Sequence, residues 1–224
     1  QLSGDGSPAL VPDSMVPIPA LPPLSIRKVG FPIQTPAPQR EGDVVARLRL
    51  RGNDETLDQA RLTLKVKPAS AVRKETFRSS IDGSVQYYGL VPRTVSADAP
   101  TAQPGLILTL HGAGVEGAGQ AAVYQPKSWA HVVAPTNRRP FGFDWEDWGR
   151  LDAIEVLELT REKLNTDLRR TWLTGHSMGG HGAWHLGVLY PDRFAAVAPS
   201  AGWISMSTYA GARGLESDHP LAAL

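Results

Sequence analysis

The sequence predicts an α/β fold with a mostly parallel sheet, and three observations carry that expectation. From residue 72 onward, short apolar runs alternate with stretches of helical spacing. A Gly-x-Ser-x-Gly turn, Gly175 to Gly179, lies between one such run and a helix. A second glycine-rich loop, His111-Gly112-Ala113-Gly114, follows an earlier run. Strands that alternate with helices are joined by crossovers, and crossovers make neighbouring strands parallel.

The elements follow in chain order. Residues 1–40 hold nine prolines: Pro8, Pro12, Pro17, Pro19, Pro22, Pro23, Pro32, Pro36 and Pro38. Each ring fixes φ and removes a backbone donor, so residues 1–40 are expected to form an extended, polyproline-like linker or strap. Residues 41–71 change character. Ala46, Leu48 and Leu50 alternate with Val45, Arg47, Arg49 and Arg51. After a polar stretch, Gly52–Gln59, Leu62, Leu64 and Val66 alternate with Arg61, Thr63, Lys65 and Lys67. A period of two with one apolar face reads as half-buried antiparallel strands, here part of a small β-sandwich-like segment whose basic face is solvated.

Residues 72–224 are expected to be the first part of the α/β domain. Thr76–Ile81 and Ser84–Val91 flank Asp82-Gly83, a hairpin signal. Leu106–Leu110 and Trp129–Ala134 read as buried strands. Leu151–Leu164 has helical spacing, Thr171–Thr174 reads as a strand, Met178–Tyr190 as a helix stopped near Pro191, and Phe194–Pro199 as a further strand.

Composition narrows the function classes. Hydrophobic residues make up 42% and charged residues 20% of the chain, so a packed core is expected. A net charge of +1 argues against a nucleic-acid partner, which calls for a basic excess or stripe. No apolar run approaches the roughly 20 residues of a membrane span. With no cysteine, these residues offer no disulfide, no thiolate metal ligand and no cysteine nucleophile. The chain opens on Gln1 with neither an initiator methionine nor a signal peptide, so an N-terminus is expected to have been removed, by processing or at an artificial boundary, and a periplasmic or secreted location is slightly favoured.

The chemistry resides in Leu173-Thr174-Gly175-His176-Ser177-Met178-Gly179-Gly180. A Gly-x-Ser-x-Gly turn between strand and helix is the context of a nucleophile elbow. The turn is sharp, so Ser177 must adopt strained dihedrals, and Gly175 and Gly179 supply room around it. The Ser177 hydroxyl then stands at a helix N-terminus, whose N–H groups and dipole favour developing negative charge. The Met178 N–H is one candidate oxyanion donor.

The stretch Leu106–Trp203 resembles the α/β-hydrolase superfamily, near prolyl-oligopeptidase-like peptidases (family S9) and feruloyl-esterase-like enzymes. The resemblance rests on Leu110-His111-Gly112-Ala113-Gly114, Asp147-Trp148-Gly149-Arg150, the elbow itself and Tyr190-Pro191-Asp192-Arg193-Phe194-Ala195-Ala196. It implies a serine hydrolase that cleaves ester or peptide bonds through an acyl-enzyme on Ser177. It also implies a second oxyanion N–H from the loop after Leu106–Leu110, at Ala113 or at the neighbouring Gly112. No metal or organic cofactor is needed for that chemistry. The alternative is a non-catalytic binding or scaffold protein that keeps the fold.

In this superfamily the triad runs Ser, then Asp or Glu, then His. The resemblance therefore places the acid and the histidine beyond Leu224. It leaves the sheet incomplete, the fragment inactive alone, and a second fragment as the partner that would complete it. Asp218 and His219 are adjacent, and one dipeptide cannot easily supply both relay members. His181 and His185 stand four apart on the expected helix, but no third metal ligand is evident in the sequence, so they read as packed histidines, as does His176. Trp145, Trp148, Asp144, Glu146 and Asp147 precede the long helix. They offer either a cleft lining or a cap at Asp147 with Trp148 packed on the helix, and the packing role is expected.

Overall fold

The computed structural model describes residues 2–4, 15–32, 41–53, 55–95, 103–139, 142 and 144–204. The chain divides into two compact units, Gln1–Ala69 with Arg78–Val85, and Ser70–Phe77 with Gln86–Leu224.

The first unit holds one three-stranded antiparallel sheet in the order β1-β2-β3, from β1 (Leu2–Gly4), β2 (Gly42–Gly52) and β3 (Glu55–Val66). Among the described residues this is a single sheet, not the two packed layers of a sandwich. Among the described side chains of this sheet, only Ala46 is fully buried, against Phe31, Leu48 and Leu64. Two expectations change here. Leu2–Gly4 pairs with β2 across Leu2↔Leu48 and Gly4↔Ala46, so the proline-rich segment contributes a strand. These three residues precede Pro8 and keep every ladder donor. The polar stretch Glu55–Gln59 is also strand, paired from Gly52↔Glu55 onward. Its side chains are exposed, so ladder hydrogen bonds extend the strand where apolar periodicity gives no sign of it.

The second unit is a six-stranded sheet with helices. Its elements are β4 (Arg73–Arg78), β5 (Val85–Val91), β6 (Gly105–Leu110), α1 (Gly117–Ala122), β7 (Ala130–Ala134), α2 (Trp148–Lys163), β8 (Thr171–His176), α3 (Met178–Leu189), a 3-10 turn (Pro191–Arg193) and β9 (Ala196–Ser200). The strand order is β4-β5-β7-β6-β8-β9. β5 is antiparallel to β7, whereas β7, β6, β8 and β9 are mutually parallel. The predicted α/β class with a mostly parallel sheet is the fold observed.

Register explains the core. Val133, Leu108, Leu173 and Val197 lie in one row across four strands. Leu106, Leu108, Leu110 and Leu173 pack with Val156 and Leu157 of α2 and with Met178, Ala183 and Leu186 of α3. Ile107, Val132 and Ala134 turn to the opposite face, against Ala121 of α1. All six residues of β6 are buried, as expected for a central strand covered on both faces. Helix α1, Gly-Ala-Gly-Gln-Ala-Ala, has no apolar periodicity and was not expected from the sequence. Its place follows from Gly89, where a Cβ would stand 2.9 Å from the α1 backbone.

A buried carboxylate fixes the path from β7 towards α2. Asp152 is fully buried on α2, and its Oδ2 accepts from the backbone N–H of Thr136 at 3.1 Å and of Arg138 at 3.3 Å. Burial pushes its carboxyl up to about 6 from the usual 3.8, against the opposing pull of those N–H groups and the Arg138 charge. The folded state therefore holds an extra proton between those values. That contribution to stability is complete below about pH 4 and is lost as pH rises through about 6. We predict that the thermal midpoint of Asp152→Asn, relative to the parent, climbs as pH is raised from 4 to 7. A pH-independent difference would show that Asp152 ionises as freely folded as unfolded.

Candidate active site

β8 and α3 meet at Ser177, which adopts φ 57° and ψ −119°. That conformation is costly for a residue with a Cβ and persists only where the surroundings over-determine it. The crowding is visible at the two glycines. A Cβ on Gly175 would overlap the Gly179 carbonyl, and a Cβ on Gly179 would overlap the Leu110 carbonyl at the end of β6. The Ser177 N–H donates to the Ser200 carbonyl of β9 at 2.9 Å, and the His181 N–H donates to the Ser177 carbonyl at 3.1 Å. The elbow is thus pinned between β6, β9 and the first turn of α3. Met178 is the first residue of α3, where N–H groups have no intrahelical acceptor.

The second glycine-rich loop lies beside it. A Cβ built on Gly112 would stand 3.3 Å from the His176 carbonyl and 3.6 Å from the Ser177 Cβ. Ala113 and Gly114 follow as exposed residues, Gly114 at φ 73°, and the Val115 N–H closes the turn onto the Gly112 carbonyl at 3.2 Å. The five residues expected at the site, Ser177, Met178, Ala113, Gly175 and Gly179, therefore fall at one end of the sheet, with the Gly112 backbone alongside the serine. Glu116 follows the loop at the N-cap of α1, and its carboxylate takes hydrogen bonds from Lys74 and the Tyr87 hydroxyl. Those bonds, Lys74 first, hold the Glu116 carboxyl below its usual range, whereas burial first, and then the bond to Glu116, pushes the Tyr87 hydroxyl well up.

Trp145 joins the His111–Gly114 loop to α3. It is fully buried, its Nε1 donates to the His111 carbonyl at 3.1 Å, and its ring meets the His111 ring edge-on at 5.0 Å. Gly182 of α3 carries no side chain because the Trp145 ring occupies that space. Burial lowers the pKa of His111, so this ring is neutral at pH 7. The packing role expected of Trp148 belongs to Trp145 instead. Trp148 is 52% exposed, and its ring lies 5.7 Å from the Arg138 guanidinium. Asp147 does occupy the N-cap of α2, but its side chain makes no capping hydrogen bond.

The histidines divide. His176 is exposed, with Nδ1 3.3 Å from the Ser200 hydroxyl. His181 is buried, with Nε2 3.0 Å from Glu146 Oε1 and Nδ1 3.1 Å from the Trp203 carbonyl. His185 stacks beside it at 6.2 Å, and burial lowers its pKa. Sequence spacing puts His181 and His185 four apart on one helix, as packed histidines. The structure joins His181 to Glu146, 35 residues away, and no local pattern signals that contact. Among the described residues, no histidine or carboxylate is hydrogen-bonded to the Ser177 hydroxyl. Asp218 and His219 lie outside the described residues.

The elbow yields one prediction. Replacing Gly179 with valine drives a branched side chain into the Leu110 carbonyl, so Gly179→Val is expected to destabilise the second unit by roughly 2–4 kcal/mol. Chemical denaturation would measure it, and an unchanged midpoint would mean that the turn is not crowded there.

The chain is similar to several known proteins. Residues 97–220, more than half of the chain, match the family model named Esterase. An uncharacterized secreted protein of Arthroderma benhamiae is 27% identical over 154 residues, which span 62% of this chain and 16% of that protein. Among solved structures, a ferulic acid esterase aligns at 20% identity with a TM-score of 0.49, covering 63% of this chain and 65% of its own. An S-formylglutathione hydrolase of Staphylococcus aureus aligns at 16% identity with a TM-score of 0.47, covering 60% and 58% respectively. The chain thus spans less than two thirds of the length of each. The matched segment contains β6, the His111–Gly114 loop, α2, the elbow and β9, and on that match the chain belongs to the Esterase family of hydrolases.

Proposed function

We propose that the protein is a serine esterase that acts through an acyl-enzyme on Ser177. The observation that carries this reading is the backbone of Ser177 itself, at φ 57° and ψ −119° between β8 and α3, with the Gly112 backbone alongside its Cβ. The Ser177 Oγ attacks the ester carbonyl carbon and gives its proton to a general base. The carbonyl oxygen takes negative charge and is met by the N–H of Met178 and that of Ala113 or Gly112. Collapse expels the alcohol, which takes the proton back from the base, and water then hydrolyses the acyl-serine by the same two steps. By the superfamily's chain order, the base is a histidine positioned by an acid after β9. Membership of a family named for esterase activity supports an alcohol rather than an amine as the leaving group. A secreted location agrees with the name of the Arthroderma benhamiae relative.

The test is covalent labelling of the full-length protein with a fluorophosphonate, read by intact mass. One adduct is expected, absent in Ser177→Ala. Turnover of aryl and alkyl esters should exceed that of matched anilides, and Ser177→Ala should lower it by at least about a thousandfold. Preferential anilide cleavage would favour the peptidase reading. A fold that takes no label would make the protein a scaffold.

A further inference from the structure

Behind the elbow, the loop before α2 brings two carboxylates onto helix α3. His181, four residues past Ser177, is only 8% exposed. Its Nε2 lies 3.0 Å from Glu146 Oε1 and 3.8 Å from Asp144 Oδ1. Its Nδ1 lies 3.1 Å from the Trp203 carbonyl, which can only accept, so Nδ1 carries the hydrogen. In the neutral ring Nε2 is then a bare lone pair, aimed at two carboxylates. Three acceptors that converge in this way repel one another unless a cation sits among them or Nε2 is protonated.

The spacing suits a metal ion. The three donor atoms all lie within 4.8 Å of one another. A tetrahedral centre with bonds of about 2.0–2.2 Å holds its ligand atoms about 3.4 Å apart, between the two distances found here. The imidazole is fixed on its other side as metal-bound histidines are, by a backbone carbonyl on Nδ1. It is also clamped by the Trp203 indole, stacked at 4.7 Å and 10°. The nearby guanidinium is engaged elsewhere: Arg150 donates to the Glu146 carbonyl at 3.0 Å and to the Tyr190 hydroxyl at 2.7 Å. The Asp144 and Glu146 carboxylates are 41% and 55% exposed, which gives an ion a route in and leaves a position for water.

We propose that Asp144, Glu146 and His181 form a binding site for one divalent transition-metal cation of the zinc class. One imidazole with two carboxylates favours Zn²⁺, Co²⁺ or Mn²⁺ over Ca²⁺, which takes six to eight oxygens. The ion ties the Asp144–Glu146 loop to α3. Through the Nδ1 bond it also ties in Trp203, just after β9, so three segments around the elbow share one cross-link. It is structural and takes no part in acyl transfer, so the proposal stands apart from the esterase reading.

The experiment uses the full chain, stripped with a chelator and titrated with Zn²⁺, with bound metal counted by elemental mass spectrometry. One equivalent is expected, together with a higher thermal midpoint and, with Co²⁺, visible absorption of tetrahedral strength. Glu146→Gln and Asp144→Asn should each weaken binding by at least about tenfold. Asp147→Asn, a neighbouring acid outside the cluster, should leave it unchanged. Should either variant fail to fold, the ¹⁵N shift of His181 Nε2 on adding Zn²⁺ to the parent decides, and movement is expected. A folded parent that binds no Zn²⁺ would overturn the proposal and make His181 a protonated partner of the two carboxylates. Zn²⁺ bound equally well by both folded variants, or an unmoved His181 signal, would overturn it too.

Discussion

The architecture of the second unit depends on how closely three backbones meet at the carboxyl end of its sheet. At Gly175, Gly179 and Leu110, the elbow and the end of β6 approach to within the space that a single Cβ would fill. That approach sets the position of α3 against the sheet, and so of the Met178 and Ala183 side chains that complete the core. It also holds Ser177 in a conformation that an isolated peptide would leave at once. Interiors packed to crystal-like density do not deform to relieve such strain, so the site is as rigid as the core beneath it.

A chain of contacts carries that rigidity outward. The Asp152 carboxylate holds the Thr136 and Arg138 amides, and the Asn137 side-chain amide donates to the Asp144 carbonyl. Next to Asp144, Trp145 reaches the His111 carbonyl, and His111 opens the loop that runs past the serine. A single buried carboxylate on α2 is in this way connected to the candidate oxyanion loop through the side chains of Asn137 and Trp145 and the backbone between them. The connection fits the general pattern in which functional groups stand on loops that are held by a second layer of hydrogen bonds.

What the sequence disclosed, and what it withheld, divides along the distance over which each feature is determined. The elbow is a local object: strand, turn and helix lie within 20 residues, and the glycines that the turn needs are its own neighbours. β6 and β7 are short apolar runs whose burial is nearly their whole content. Trp145 and Trp148 illustrate the opposite case. They stand three residues apart and carry the same side chain, and the space left by Gly182, 37 residues on, takes Trp145. His181 likewise sits on a helix whose spacing offers only His185 as a neighbour, while the carboxylate that meets it arrives from Glu146. β1 and α1 were missed because neither carries a periodic apolar pattern; pairing and close approach alone create them.

The distribution of backbone strain extends the argument from one residue to a whole edge. Eight described residues other than glycine have positive φ, and five of them, Asn137, Arg138, Asp144, Ser177 and Ala201, follow the carboxyl ends of β7, β8 and β9. Open parallel sheets place their binding loops at that edge, because strand ends there splay and helix N-termini face the gap. Asparagine and aspartate tolerate positive φ through local hydrogen bonds, but Arg138, Ser177 and Ala201 have no such relief. Their conformations persist because the bonds around them are numerous: the Arg138 N–H on Asp152, the Ser177 N–H on Ser200, and Gly180 packed against the backbone at Ser200 and Gly202. Strain that is collected at one edge and held there by buried hydrogen bonds is the signature of a site built for geometry rather than for stability, and Ser177 stands at its centre.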